Sequence, residues 1–273
     1  MKTQRTLLMI LLCLFLTVMP VCAQTPENTA DSAETLTSAV SALNETGGTI
    51  RITKDIILGT DSSIGGFEPD SNITLDLGGN TLYIQNSWSL KNITITGQRT
   101  LIMLENNADL HLDHTTLAAT AENSTAIKIT GDSRLSAEAS KIEAIGTNTF
   151  GIIAVSTADL SFNSTLVSTI GSSSTSIQTK GIVDAYFSEI TAEGTGATAI
   201  KAGEVLLNTS AVSPEASNAV IADTTAAPTN TGYHYTELNT LGGLPDSMMF
   251  EITDKKTGDI RYTPSMPVCW DTD

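Results

Sequence analysis

The sequence predicts an all-β solenoid, a stack of short coils that are built from strands. Three observations support this fold class. An apolar pattern recurs at intervals of 22 to 25 residues, apolar and polar residues alternate within each unit, and the composition favours strands. The chain contains 42 Thr, and only 5% of its residues are aromatic, so Ile, Leu, Val and Ala supply most of the apolar side chains. β-Branched residues are enriched in strands.

The repeat is clearest in five units, which begin at Leu110, Leu135, Leu160, Val183 and Val205. The first unit has apolar residues at positions 1, 3 and 8, namely Leu110, Leu112 and Leu117. The unit from Leu160 to Leu166 has the same pattern and is predicted to be one residue shorter. Alternation with a period of two indicates short strands with one face turned inward.

A second apolar segment follows each unit after a polar turn. Its members are Ile127 with Ile129, Ile152, Ile177, Ile200 and Ile221. Alternation predicts that Ile152 points inward and that Thr149 points outward. Regularly spaced strands are also typical of a sandwich. Repetition of the whole unit favours a solenoid, because each coil then buries its apolar residues by stacking on its neighbours.

The N-terminus has the pattern of a secretory signal peptide. Residues 1–23 contain the basic residues Lys2 and Arg5, an apolar stretch from Leu7 to Val18, and a small-residue cleavage pattern that ends at Ala23. A membrane anchor is the alternative, but the apolar stretch is shorter than the ~20 residues that span a bilayer. We therefore expect cleavage near Ala23, secretion or display at the cell surface, and no stable membrane span.

Removal of this segment makes the net charge of the chain more negative. Loss of Lys2 and Arg5 from the 14 basic residues leaves 12 against 30 acidic residues, a net charge of −18. Such a charge repels nucleic acid and acidic polysaccharides, and it favours neutral glycans or protein partners. Cys269 would be the one remaining cysteine, so no internal disulfide is expected.

The segments that flank the repeat are predicted to close the solenoid. Between Asp31 and Asn44, an amphipathic helix with Leu36, Val40 and Leu43 on one face is expected to cap the first coil. Gly47-Gly48 then forms a turn before the first strand. The predicted organisation is a signal peptide (1–23), a leader with the capping helix (24–48), the β-helix (49–223) and a C-terminal region (224–273).

The C-terminal region is predicted to contain a β-hairpin. Strand-like runs at 249–252 and 260–262 flank a polar turn at 254–259. The hairpin either closes the end of the solenoid or begins a further module.

The coil units, the helix, the Gly47-Gly48 turn and the strand at 49–52 together resemble the right-handed parallel β-helices of the pectin-lyase-like superfamily. The resemblance covers roughly residues 35–223. It implies a right-handed parallel β-helix of about seven coils. Many members are polysaccharide lyases or hydrolases. The resemblance implies that a lyase would hold Ca²⁺ with carboxylates from adjacent coils, beside an Arg or Lys base.

The unit from Leu110 to Leu117 contains the candidate catalytic residues. Alternation places His111 and Asp113 on the same outward face, and His114 follows at the bend. Imidazoles beside a carboxylate are suited to acid–base chemistry or metal binding. The string loosely resembles an apolar–Asp–His signature of pectate lyases. Of the positions that align with Asp113 in the later coils, only Glu138 is acidic, and ordinary exposed strands carry similar residues.

Two further features suggest other surfaces. Tyr83 and Trp88 are candidates for stacking against sugars, although one of them is expected to cover the N-terminal core instead. The outward Thr94 and Thr96 belong to a Thr-x-Thr string that would suit a structural or ice-binding rod if it recurred on every coil.

The sequence therefore predicts a secreted, non-catalytic β-helix surface protein of a bacterium, adhesin-like or glycan-binding. Its expected partner is a polysaccharide or a host surface protein, with no nucleic acid and no cofactor. The alternative is a polysaccharide lyase or hydrolase that acts on a plant or microbial glycan. That alternative would use His111, Asp113, His114 and Glu138, with Ca²⁺ only in the lyase case.

Overall fold

The computed structural model describes residues 28–66, 72–208, 210–215, 218–222, 250–253 and 260–263. The predicted signal peptide, the predicted linker that starts at Thr224, and Cys269 lie outside the described residues. The first elements are β1 (Asn28–Ala30), α1 (Ala33–Leu43), β2 (Gly48–Ile52), β3 (Ile56–Leu58), β4 (Ser62–Gly65), β5 (Ile73–Asp76), β6 (Leu82–Ile84), β7 (Trp88–Lys91), β8 (Ile93–Gly97) and β9 (Thr100–Leu104).

The remaining strands follow in the same rhythm, three to a coil. They are β10 (Asp109–Asp113), β11 (Thr116–Ala119), β12 (Thr125–Ile129), β13 (Arg134–Glu138), β14 (Lys141–Ile145), β15 (Phe150–Ala154), β16 (Leu160–Asn163), β17 (Leu166–Ile170), β18 (Thr175–Gln178), β19 (Ile182–Tyr186), β20 (Glu189–Glu193), β21 (Thr198–Ala202), β22 (Glu204–Asn208), β23 (Ala211–Glu215) and β24 (Asn218–Ala222). β25 (Phe250–Thr253) and β26 (Ile260–Thr263) form an antiparallel pair, as predicted for the hairpin.

The coils stack into three parallel sheets. A nine-stranded sheet has the order β1-β2-β5-β8-β11-β14-β17-β20-β23. A seven-stranded sheet runs from β4 through β7, β10, β13, β16 and β19 to β22, and an eight-stranded sheet runs from β3 to β24. Every third strand pairs with its counterpart in the next coil, so about seven coils form a parallel β-solenoid. The predicted all-β fold class is confirmed.

Each eight-residue unit of the sequence consists of two strands separated by a sharp bend. His114 lies at this bend with a φ of 48°, and Ala139, Ser164 and Phe187 have φ values of 46°, 50° and 48° at the equivalent positions. The left-handed region is costly for residues other than Gly, Asn and Asp. The same geometry nevertheless recurs on successive coils, because the chain must pass from the seven-stranded to the nine-stranded sheet within two residues.

The core consists of columns of identical or similar side chains. Leu110 pairs with Leu135, and Leu135 pairs with Leu160. Ile127, Ile152, Ile177 and Ile200 form a second column in the same way. All of these side chains are almost completely buried. Parallel pairing places equivalent residues directly above one another, so the repeat in the sequence becomes a continuous aliphatic core.

A column of buried hydroxyl groups supports the bend. Its members are Thr115, Ser140, Thr165, Ser188 and Ser210. The Ser140 hydroxyl accepts a hydrogen bond from the Thr115 N–H at 3.1 Å, and the Ser188 hydroxyl accepts one from the Thr165 N–H at 3.1 Å. Each of these bonds satisfies a buried backbone donor that the bend removes from the sheet ladder.

The helix α1 covers the first coil, as predicted. Leu36, Val40 and Leu43 are its buried residues and join the main core. The helix begins at a capping box, in which the Ser32 hydroxyl accepts from the Thr35 N–H and the Thr35 hydroxyl accepts from the Ser32 N–H. An unpaired edge of a stacked sheet promotes association, and this helix protects that edge.

The structure differs from the sequence prediction at four points. The third unit is not shortened: Val167 pairs with Ile142 and is buried, whereas Leu166 pairs with Lys141 and is partly exposed. In the last coil, Val220 rather than Ile221 pairs with Ile200. Thr149 is buried, not outward, because its hydroxyl donates to the Gly146 carbonyl inside a turn. The β-helix also begins before residue 49, its predicted start, since β1 pairs in parallel with β2 in the nine-stranded sheet.

Two adjacent isoleucines test the assignment of the inner face. Ile152 is fully buried, whereas Ile153 on the same strand is only half-buried. We expect Ile152→Ala to lower the free energy of unfolding by about 2–5 kcal/mol, because it leaves a cavity in the column. The control Ile153→Ala should cost less than about 1 kcal/mol. Chemical denaturation measures both, and equal losses would contradict the assignment.

The hydroxyl column gives a second test. Ser140→Ala leaves the buried Thr115 N–H without an acceptor, so we expect a loss of about 1–3 kcal/mol in the free energy of unfolding. Ser140→Thr is the matched control, because Thr occupies this position in both neighbouring coils and keeps the hydroxyl. If Ser140→Ala and Ser140→Thr are equally stable by chemical denaturation, the hydroxyl column does not support the bend.

Candidate functional site

A groove of about 840 Å³ runs along the outer face of the seven-stranded sheet. Strand register arranges its lining into two outward columns. The rim column is formed by the residue at or just before the start of each strand and contains Asp61, Ser87, Asp109, Arg134, Asp159 and Ile182. The central column contains Ser89, His111, Ser136, Ser161, Asp184 and Leu206.

The central column presents one side chain per coil. His111 is half-buried, and its Nδ1 lies 2.9 Å from the Ser136 hydroxyl on the next coil. This contact fixes the imidazole along the groove and leaves Nε2 available to a ligand. Ser161 and Asp184 are exposed farther along the same column. The groove therefore contains a row of hydroxyl, imidazole and carboxylate groups spaced by the distance between neighbouring strands, about 4.8 Å.

The rim column carries four of the five Asp and Arg side chains that line the groove, and Asp184 of the central column is the fifth. Asp109, Arg134 and Asp159 are exposed and lie on three successive coils. Asp109 pairs with Arg134, and Asp159 directly precedes β16, the strand that pairs with β13 of Arg134. Within the described residues, these three side chains form no hydrogen bond or ion pair. Four Asp and one Arg line the groove, so its net charge is negative.

Asp113 lies outside the groove, at the C-terminal end of strand β10. It belongs to a third outward column, the corner column, which is formed by the last residues of the strands of the seven-stranded sheet. Its Oδ2 accepts from the Lys91 ammonium at 2.9 Å, and its Oδ1 contacts Nδ1 of His114. Burial raises the pKa of Asp113, but the hydrogen bonds from His114 and Lys91 and the charge of Lys91 outweigh it. The pKa is therefore below its ordinary value of 3.8.

The structure thus separates His111 from the other three predicted catalytic residues. His111 lies in the groove, whereas Asp113 and Glu138 lie in register on the corner column and His114 lies at the bend. Asp113 binds His114 and Lys91 rather than His111. The predicted alignment of Asp113 with Glu138, Asn163 and Tyr186 agrees with the strand register.

The corner column does not fit the Ca²⁺ that a lyase would require. Both carboxylate oxygens of Asp113 already have partners, and Glu138 is the only other acid before the column changes to Asn163 and Tyr186. In the part of the chain that the structure describes, no group of three or more His, Cys, Asp or Glu side chains is arranged to hold a metal ion.

The two aromatic residues predicted for sugar stacking do not share a surface. Trp88 is 5% exposed and belongs to the core, while Tyr83 is half-buried on β6 of the eight-stranded sheet. The exposed aromatic pair is instead Tyr186 and Phe187, whose ring centroids are 4.3 Å apart in an edge-to-face arrangement.

The Thr-x-Thr string does not extend into a regular array. Thr49, Thr74, Thr94 and Thr116 are in register on the nine-stranded sheet, but Lys141 follows them. In the second outward column of the string, the neighbours of Thr96 on the two adjacent coils are Asp76 and Ala118. A flat array with two complete Thr columns is therefore not formed by these strands.

The fold and the groove define a parallel β-solenoid with one negatively charged groove along its axis. No protein-family model, no curated protein and no solved structure matches the chain. Among the described residues, no helix is long and apolar enough to cross a membrane.

The lowered pKa of Asp113 can be tested through the pH dependence of the free energy of unfolding. A carboxylate whose pKa is lower in the folded than in the unfolded state stabilises the fold above its unfolded pKa. This stabilisation disappears as the pH falls through the folded pKa. We therefore expect Asp113→Asn to lower the free energy of unfolding at neutral pH. The difference from the unsubstituted protein should shrink as the pH falls below 3.8 and vanish once the pH is below the lowered pKa of Asp113 in the folded state.

Glu138→Gln is the matched control, because Glu138 is the neighbour of Asp113 in register and forms no ion pair within the described residues. Its effect on the free energy of unfolding should be small, because no ion pair is lost. Denaturation across the acidic range measures both variants. A difference for Asp113→Asn that persists at low pH would contradict the role of the ion pairs.

Proposed function

We propose that this chain is a secreted, non-catalytic β-helix surface protein that binds an extended glycan along the groove of the seven-stranded sheet. Secretion follows cleavage of the N-terminal segment near Ala23, and the protein acts outside the cell or at its surface. Kinship with the pectin-lyase-like superfamily is part of the same proposal. A host glycan would make the protein adhesin-like.

The arrangement of the central column supports glycan binding. It offers one polar side chain per coil from Ser89 to Asp184, at intervals of about 4.8 Å. The length of one sugar unit in an extended glycan is close to this interval. Each sugar could then meet an equivalent hydrogen-bonding group, as the hydroxyls of a glycan require. An open groove also suits a chain that enters and leaves at its ends.

The catalytic alternative has weaker support. A polysaccharide lyase or hydrolase centred on Asp113 needs that carboxylate at the substrate, but it lies outside the groove and is paired with Lys91 and His114. His111 is the one predicted catalytic residue that lines the groove, and its contact there is a serine hydroxyl rather than a carboxylate. We therefore assign His111 to ligand binding.

Blocking the groove tests the proposal. Ser161 is exposed in the middle of the groove, so Ser161→Trp should weaken binding of a glycan hexamer by about tenfold or more, as measured by calorimetry. Thr191→Trp is the control, because Thr191 lies on the outer face of the nine-stranded sheet. The probes are β-1,4-linked hexamers of glucose, of N-acetylglucosamine and of glucosamine.

The proposal predicts binding of at least one hexamer, selective loss with Ser161→Trp, and no shortening of the hexamers. Absence of binding to all three hexamers would overturn it, as would equal losses with both Trp variants. Degradation of a uronan with Ca²⁺ that Asp113→Ala abolishes would replace it by the lyase alternative.

A further inference from the structure

The rim column of the groove has acidic residues on alternate coils. Asp61, Asp109 and Asp159 occupy the first, third and fifth of the coils that line it, and Ser87 and Arg134 lie between them. Two coils span roughly 9.6 Å, twice the distance between neighbouring strands. Along the rim column, negative charge therefore recurs with a period of two coils. The central column has a polar group on every coil from Ser89 to Asp184, and the last of these is a carboxylate.

An extended β-1,4-linked glycan has the same two periods. Successive sugars are turned over by about half a turn, so hydroxyl groups meet the groove at every sugar. A substituent at one ring position, however, faces the same side only at every second sugar. The two-sugar repeat of such a chain is close in length to two coils. A substituent that faces Asp109 thus recurs at Asp159.

From this match we propose that the groove selects a β-1,4-linked chain of amino sugars with free, protonated amines. The inference rests on the proposed glycan-binding function and names the class of glycan. Two amines of one chain would pair with the Asp109 and Asp159 carboxylates, which are exposed and without side-chain partners among the described residues. Asp61 extends the same row, although its Oδ1 already accepts from the Ser87 N–H at 2.9 Å.

Arg134 fits the same arrangement. It lies between the two carboxylates, where the sugar is turned over and its amine points away from the rim. Its guanidinium then faces neutral hydroxyl and ring oxygens, to which it donates hydrogen bonds. A uniformly acidic rim would attract any polycation, whereas a positive charge at the middle position opposes a polycation whose charges face the rim at every coil.

The inference predicts a preference between two hexamers that differ only in acetylation. At mildly acidic pH, where the sugar amines are protonated, the glucosamine hexamer should bind about tenfold more tightly than the N-acetylglucosamine hexamer. The double variant Asp109→Asn/Asp159→Asn should reduce this preference to about twofold or less. Both residues are exposed, so the variant is expected to fold.

The matched control is Glu122→Gln/Glu193→Gln, which removes the same charge from exposed positions outside the groove. It should retain the preference of the unsubstituted protein. Calorimetry at low and moderate salt measures all three proteins. The preference should weaken at higher salt, because exposed charges are screened.

The outcomes separate this inference from the proposed function. If the glucosamine and N-acetylglucosamine hexamers bind with equal affinity, and Ser161→Trp weakens the binding of both, the amino-sugar inference is overturned. The proposal that the groove binds a glycan then stands. Absence of binding to either of them and to the glucose hexamer overturns both. A hexamer of lysine that binds as tightly as the glucosamine hexamer overturns the inference as well, because the groove would then recognise positive charge without the sugar repeat.

Discussion

Parallel backbone pairing between successive coils is the constraint on which the rest of this structure depends. Every strand of the solenoid must present its N–H and C=O groups in register to the coils above and below it. The bend between the seven-stranded and nine-stranded sheets interrupts this pairing, and the buried hydroxyl column compensates for it. Thr or Ser recurs at this position for that reason, from Thr115 to Ser210.

The same register creates the functional surface. Because equivalent residues lie directly above one another, a single position of the repeat becomes a column with a fixed spacing. The inner columns supply the core and are filled mainly by Leu, Ile, Val and Ala, with Trp88 and Phe162 among them, whereas the outer columns contain side chains of different kinds. The groove results from two outer columns. One has a polar group on each coil from Ser89 to Asp184, and the other has a carboxylate on every second coil from Asp61 to Asp159. Its proposed ligand follows from these two periods.

Much of the fold was predictable because the core columns leave a direct record in the sequence. The inward positions from Leu110 to Val205 and the helix face of Leu36, Val40 and Leu43 were assigned correctly. Leu166 was misassigned because Leu and Val stand side by side at the end of that unit, and only the backbone pairing distinguishes them. The groove was not predicted. Asp109, Arg134 and Asp159 directly precede the inward residues, and the apolar pattern does not distinguish such outward positions from one another. The separation of His111 from Asp113 depends on contacts with other coils, through Ser136 and Lys91.

The most direct test of the account is a distance along the central column. Spin labels at Ser63 and Asp184, in a chain that starts at residue 24 and carries Cys269→Ser, are separated by five coil steps, roughly 24 Å at the strand spacing. Pulsed electron paramagnetic resonance should give one narrow distance distribution near that value. Moving the first label from Ser63 to Ser89 should shorten the distance by one coil spacing, about 5 Å. A distance that does not shorten by one spacing, or a broad distribution for either pair, would contradict the stacked register from which the core and the groove both follow.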